Sequence, residues 1–157
     1  MQYLVEVLAV LAVLANAVIY GTDVFGAIVQ RPAIAAVDDR TLVQSMGHIH
    51  RIADRRLAAV SVFGLIAAAA TGAVAAVSGR WVSATAAFIA VIAMIVFVVI
   101  YNRVSKPVNI VLTAAAVADD VPADARGLQS RWDSVINSRA ALQAIALVAL
   151  CIALIAA

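Results

Sequence analysis

Long apolar stretches alternate with shorter polar ones along this chain. Four apolar stretches, residues 3–29, 57–77, 81–101 and 140–157, are close to the roughly 20 residues that a helix needs to cross a bilayer. Between the second and third, Ser78, Gly79 and Arg80 leave room only for a tight helical hairpin. The pattern therefore predicts an all-α integral membrane protein, an antiparallel four-helix bundle that forms a single membrane domain over residues 1–157.

The segment before the second span also carries a helical pattern. Asp38, Asp39 and Thr41 are typical of a helix start. A stripe of apolar residues then recurs at spacings of three and four: Leu42, Met46, Ile49, Ala53 and Leu57. We expect the second helix to extend several turns beyond the membrane.

Small residues recur every fourth position of the second span, at Gly64, Ala68, Gly72 and Ala76. Helices associate in lipid through close backbone approach, which small residues allow. This ladder is interpreted as a packing seam against a neighbouring helix.

Positive charge predicts the orientation. The loop after the first span holds five Lys or Arg residues, the second loop one and the third five. By the positive-inside rule, segments 30–56 and 102–139 are cytoplasmic and both termini lie outside. The expected location is the cytoplasmic (inner) membrane, with several passes through the bilayer.

Composition agrees with a membrane protein and excludes several classes. The chain is 66% apolar and only 13% charged, against about 25% charged in soluble domains. This apolar composition makes the lipid bilayer the expected environment. A net charge of only +2 gives no cationic face for nucleic acid, so no nucleic-acid partner is expected. Cys151, the one cysteine, allows no disulfide within the chain.

Polar residues inside the first span point to a site. Asn16, Tyr20 and Asp23 stand at positions i, i+4 and i+7, on one helical face. Polar groups within a membrane are costly and concentrate at functional sites. Asp23 and Tyr20 are therefore candidate substrate-binding residues, although a hydrogen-bonded packing role explains them equally well.

The two histidines have different expected positions. His50 falls at the edge of the apolar stripe with Asp54 one turn on, whereas His48 falls on the opposite, water-facing side. A carboxylate at i+4 suits an imidazole that acts as acid, base or metal ligand. His50 is the best candidate ligand, but the sequence does not supply a complete metal site. A His–Asp pair that merely solvates the bundle is the alternative.

Further polar residues follow the third span and precede the fourth. Pro107 is expected to kink or end the third helix. Residues 119–124 are expected to form an acidic loop, followed by a short helix from about Ala125. The candidates in these segments are Asn102, Asn109, Trp132, Asn137 and Arg139, which with Asp23, His50 and Asp54 would gather at the cytoplasmic mouth of the bundle. Trp132 and Arg139 are equally well explained as an interface anchor and a topology signal.

Several of these motifs resemble a known family. They are the Gly21–Phe25 stretch running to Arg31-Pro32, Ser105-Lys106-Pro107-Val108-Asn109, and Arg131-Trp132 followed by Asn137 and Arg139. The chain resembles the anthrone oxygenase-like family of small four-span membrane proteins, in particular its actinobacterial branch. It departs from the family pattern at Ser105, where the family often has Asn, and at Ile136, where a second tryptophan is common.

The resemblance implies a membrane oxidoreductase or oxygenase acting on a hydrophobic, phenolic or quinone-like small molecule. His50, oriented by Asp54, would take a proton from it. Asn109, Asn137 and Arg139 would stabilise the oxyanion, Trp132 would stack on the ring, and Asp23, Tyr20 and Asn102 would complete the binding site. The alternative is a non-catalytic membrane subunit or ligand-binding protein, associated with a second copy or another membrane protein. The sequence leaves the cofactor open.

Overall fold

The computed structural model describes all residues, Met1–Ala157, and contains helices but no strands. Two five-residue π-helical segments, Gly26–Gln30 and Tyr101–Ser105, interrupt the α-helices. The α-helices are α1 (Gln2–Phe25), α2 (Arg31–Ala35), α3 (Asp39–Val77), α4 (Trp81–Ile100), α5 (Lys106–Ala118) and α6 (Ala125–Ile155).

These elements form four long helical stretches, Gln2–Ala35, Asp39–Val77, Trp81–Ala118 and Ala125–Ile155, each long and apolar enough to cross a membrane. Large apolar side chains are exposed on all four, among them Phe25, Ile66, Ile92 and Val148. Soluble monomers rarely expose so much contiguous apolar surface. The predicted all-α fold with four helices long and apolar enough to span a membrane is confirmed, and it is compatible with a four-helix bundle.

Two helical stretches continue past a proline: Pro107, which was expected to kink or end the third helix, and Pro32. Pro107 is the second residue of α5, and Pro32 occupies the same position in α2. Proline cannot donate to the carbonyl four residues earlier, and its ring crowds that carbonyl. In both places a π segment comes just before, where the Arg31 N–H bonds the Gly26 carbonyl and the Lys106 N–H bonds the Tyr101 carbonyl. The wider turn lets the helix continue, so the third helical stretch does not end at Pro107.

The starts of α3 and α6 differ in how well they were predicted. Asp38 caps α3, because its carboxylate accepts a hydrogen bond from the Thr41 N–H at 2.8 Å. This bond, with one from the Thr41 hydroxyl, holds the pKa of Asp38 below its usual range. The cap therefore stabilises α3 while Asp38 is ionised and is lost as the pH falls through that lowered pKa. The short helix expected from Ala125 is wrong as a separate element, since nothing breaks α6 before Ile155.

The chain packs into two compact units. The first unit comprises residues 1–21, 59–97 and 141–157, and the second comprises residues 22–58 and 98–140. Alanine dominates the core of the first unit, where Gly64 lies against Ala15 and Gly72 against Phe88. Two residues of the predicted ladder thus pack closely, but Gly64 packs against α1 and Gly72 against α4, not along a seam with one neighbouring helix. The second unit has a core of larger side chains, including Leu42, Met46, Leu112, Trp132 and Ile136.

Gly47 provides a test of packing in the second unit. A Cβ atom at Gly47 would collide with the Leu112 carbonyl oxygen and the Ala116 methyl group, whereas one at Gly21 would meet nothing within 4 Å. We expect Gly47→Ala to lower the free energy of unfolding by about 1–3 kcal/mol because α3 must move from α5. Gly21→Ala, the control, should raise it by about 0.5–1 kcal/mol. Unfolding in mixed detergent measures both, and equal effects would contradict this packing.

Candidate functional site

A buried ion pair lies in the second unit. The Arg139 Nη2 atom lies 2.6 Å from Asp23 Oδ1, and Nη1 of the same guanidinium donates to the Ser105 hydroxyl at 2.8 Å. The Asp23 and Arg139 side chains are only 2% and 8% exposed. Charges at this depth are costly unless they are paired and hydrogen-bonded, so each of these residues needs the other.

Aromatic rings surround the Arg139 guanidinium. Its central carbon lies 5.3 Å from the Trp132 ring centre and 5.9 Å from that of Tyr101, both within the range of a cation–π contact. The His50 ring is 5.5 Å from the Trp132 ring and tilted by 42°. We call the set Asp23, His50, Tyr101, Ser105, Trp132 and Arg139 the Arg139 cluster.

The π segments position part of the Arg139 cluster. Tyr101 and Ser105 are the first and last residues of the second segment. Gly26 begins the first, and a Cβ atom there would lie 3.3–3.4 Å from Ile136 and Trp132. The absence of a side chain at Gly26 lets the Trp132 ring pack close to the helix. Such π turns occur frequently at functional sites.

Asp54 does not orient His50. Its carboxylate accepts two hydrogen bonds from Asn109 Nδ2, at 2.9 and 3.2 Å, and no hydrogen bond joins it to His50. The expected His50–Asp54 pair is therefore corrected to an Asp54–Asn109 pair that links α3 to α5. The spacing of four residues placed His50 and Asp54 on one face, but an amide from another helix competes successfully for the carboxylate.

Several buried polar atoms around the cluster have no hydrogen-bond partner. They are Asp23 Oδ2, His50 Nε2, Asn109 Oδ1 and Trp132 Nε1. The first and third can only accept, the indole N–H can only donate, and the imidazole nitrogen can do either. Unsatisfied buried polar groups are rare in proteins because each costs free energy. A ligand that offers both donors and acceptors would satisfy this set.

Three predicted site residues lie elsewhere. Tyr20 is half-buried and belongs to the first unit. Asn102 is exposed and donates to the Val98 carbonyl of its own helix at 2.8 Å. Asn137 is exposed and lines a separate cleft of the second unit. Asn102 and Asn137 form no hydrogen bond or ring contact with the Arg139 cluster, so the geometry gives them no role in it.

Two members of the cluster, Tyr101 and Ser105, were missed as site residues. The available signal was the spacing of Tyr101, Ser105 and Asn109 at four-residue intervals, which places three polar groups on one helical face. The sequence singled out Ser105 only as a departure from a family pattern. In the structure its hydroxyl, at the end of the π segment, accepts a hydrogen bond from Arg139.

A metal site at His50 would lack protein ligands. No group of three or more His, Cys, Asp or Glu side chains lies close enough together to hold a metal ion. The His50 ring packs against the Trp132 ring and makes no hydrogen bond to a carboxylate. The residues present therefore do not fit a protein-held metal, and no step is assigned to one.

Comparisons with protein-family models, curated proteins and solved structures gave no match. The resemblance to anthrone oxygenase-like proteins thus stays a prediction.

The ion pair gives a stability prediction. Asp23→Asn or Arg139→Gln alone should lower the free energy of unfolding by about 3–5 kcal/mol, because each leaves an unpaired buried charge. The double variant should lose less than the sum of the two. The exposed pair Arg40–Asp119, 2.6 Å apart, is the matched control and should contribute within about 1 kcal/mol. Additive losses at Asp23 and Arg139 in a double-mutant cycle would contradict the coupling.

Proposed function

We propose that the Arg139 cluster binds a small aromatic molecule carrying an acidic hydroxyl or enol, and that the protein is a membrane oxidoreductase acting on it. The observation that carries this proposal is the group of unpartnered polar atoms beside the neighbouring, tilted rings of His50 and Trp132. The ring of such a ligand can pack on the indole face of Trp132, and the ligand's oxygens can hydrogen-bond with the unpartnered donors and acceptors. The resemblance noted in the sequence supports the same class of substrate.

His50 acts as the base in this proposal. Its Nε2 atom is buried and has no partner, so it can accept the proton of a bound hydroxyl or enol. Arg139 stabilises the resulting oxyanion, since its guanidinium is held in place by Asp23 and Ser105. Because Asp54 makes no hydrogen bond to His50, packing against Trp132 orients the imidazole instead.

Deprotonation makes the bound ring electron-rich, which prepares it to react with dioxygen. For a ring methylene flanked by aryl groups, as in anthrone, the balanced reaction is CH₂ + O₂ → C=O + H₂O. One oxygen atom becomes the carbonyl and the other leaves as water with the two hydrogens. Dioxygen accepts four electrons and the carbon supplies them. The role of the protein is to bind the ring, remove the first proton and hold the anion.

A matched pair of histidine variants tests catalysis. With anthrone as probe, in nanodiscs, we expect His50→Gln to lower oxygen consumption and anthraquinone formation by about a hundredfold or more. His48→Gln should leave both unchanged, because His48 is exposed two residues away. Equal rates for wild type and His50→Gln would contradict the assignment of the base. Binding of anthrone without any turnover would instead support the alternative, a non-catalytic ligand-binding protein.

We also propose an antiparallel bundle in the cytoplasmic membrane with both termini outside and the first part of α3 extending into the cytoplasm. Lys and Arg counts of five, one and five in successive loops support this orientation. Contacts between helix ends also support helices that alternate in direction. In the first unit Arg80, which follows the end of α3, donates a hydrogen bond to Gln2 at the start of α1, at 3.2 Å. In the second unit Arg126 pairs with Asp39 at 2.6 Å.

Cysteine labelling tests this orientation. In a Cys151→Ala background, Ser78→Cys should react with a membrane-impermeant maleimide on intact cells, because the α3–α4 turn faces outside. Ser130→Cys, on an exposed position of α6, should react only after the membrane is permeabilised. The reverse pattern would invert the proposed topology, and labelling of both on intact cells would contradict it.

A further inference from the structure

The second unit contains a cleft of about 500 Å³ that the Arg139 cluster does not use. It lies between the Arg31–Ala35 helix, α2, and one face of α6. Residues Arg126, Gln129, Ser130, Asp133, Ser134 and Asn137 line it from α6, at the three- and four-residue spacing of one helical face. The volume falls within the range of small-molecule sites. We call it the α6 cleft.

Two opposite charges, Arg31 and Asp133, line the α6 cleft. They interact electrostatically, but no ion pair within 4.0 Å joins them. Arg126, the other cation, is already held by Asp39 and by the carbonyls of Ile34 and Val37. Arg31 is thus the cation available to a ligand, and Asp133 is the available anion.

Gln129 adds a buried group that indicates a ligand. Its side chain is 6% exposed, its Nε2 atom donates to Asp133 Oδ1 at 2.9 Å, and its Oε1 atom has no partner. That oxygen can only accept a hydrogen bond. Beside it, the Asp133 carboxylate is also an acceptor. Together they suit a group with several N–H donors and a positive charge, which describes a primary ammonium.

We infer that the α6 cleft binds a zwitterion with a primary ammonium and a phosphate, the chemistry of phosphoethanolamine. The ammonium bonds Gln129 Oε1 and Asp133, and the phosphate pairs with Arg31, which suits the guanidinium fork. In the proposed orientation Arg31 follows the first span at the cytoplasmic side, where phosphatidylethanolamine presents this headgroup. A free phosphoethanolamine compound has the same chemistry, so the experiment must separate the two sources.

Lipid binding by the purified protein, measured with native mass spectrometry in mild detergent, tests this inference. Phosphatidylethanolamine should bind about tenfold more tightly than phosphatidylcholine, whose trimethylated ammonium has no N–H, and than phosphatidylglycerol, which has no ammonium. Asp133→Asn and Arg31→Gln should each remove most of this preference. The control is Arg131→Gln, which removes the same charge as Arg31→Gln but at an exposed residue of α6 outside the cleft. It should leave the preference for phosphatidylethanolamine unchanged.

The outcomes are distinguishable. Phosphatidylglycerol binding that equals or exceeds phosphatidylethanolamine binding and grows stronger in Asp133→Asn would show a simple anion site and overturn the inference, as would the absence of any preference. Competition by soluble glycerophosphoethanolamine supports the recognised chemistry, and equal affinity for it and the lipid would assign the site to the free compound. Since His50→Gln should not change lipid binding, failure of the proposed catalysis and failure of this site are separable.

Discussion

The Asp23–Arg139 ion pair is the interaction on which the second unit depends. It joins the first helical stretch to the last, and through Ser105 it also engages the third. With both side chains buried, neither charge has water to replace its partner. The pair also fixes the guanidinium between Tyr101 and Trp132, and Trp132 in turn packs against His50. A structural requirement for charge neutrality thus assembles the groups proposed to bind a ligand.

The two π segments make this arrangement possible. Each precedes a basic residue and a proline, Arg31-Pro32 in one case and Lys106-Pro107 in the other. The prolines remove a hydrogen bond that an α-helix would make, and the wider turn accommodates the loss. The consequence at Gly26 is close approach of Trp132, and the consequence at Ser105 is a buried hydroxyl facing Arg139. The same local irregularity therefore serves both helix continuity and the site.

Hydrophobic pattern predicted most of the fold, because membrane helices have a strong periodic and compositional signal. The helix start at Asp38 and the close packing at Gly64 also follow from local chemistry. Local spacing could not predict the partner of Asp54, since Asn109 lies 55 residues away and reaches it from another helix. Local spacing also does not show which residues other helices cover, so Asn102 and Asn137 were predicted as site residues although both are exposed. Helical faces can be deduced from spacing, but contacts between faces depend on tertiary packing.

The central claim is that the Arg139 cluster is a binding site for an aromatic ligand, and the fluorescence of Trp132 reports on it directly. Trp81 is the only other tryptophan, so a Trp81→Phe variant isolates the signal. Titration of this variant with anthrone in nanodiscs should give saturable, one-to-one quenching that Asn109→Leu weakens about tenfold, because one acceptor is lost. Non-saturable quenching that is the same in both proteins would show only partition into lipid, and it would contradict the claim.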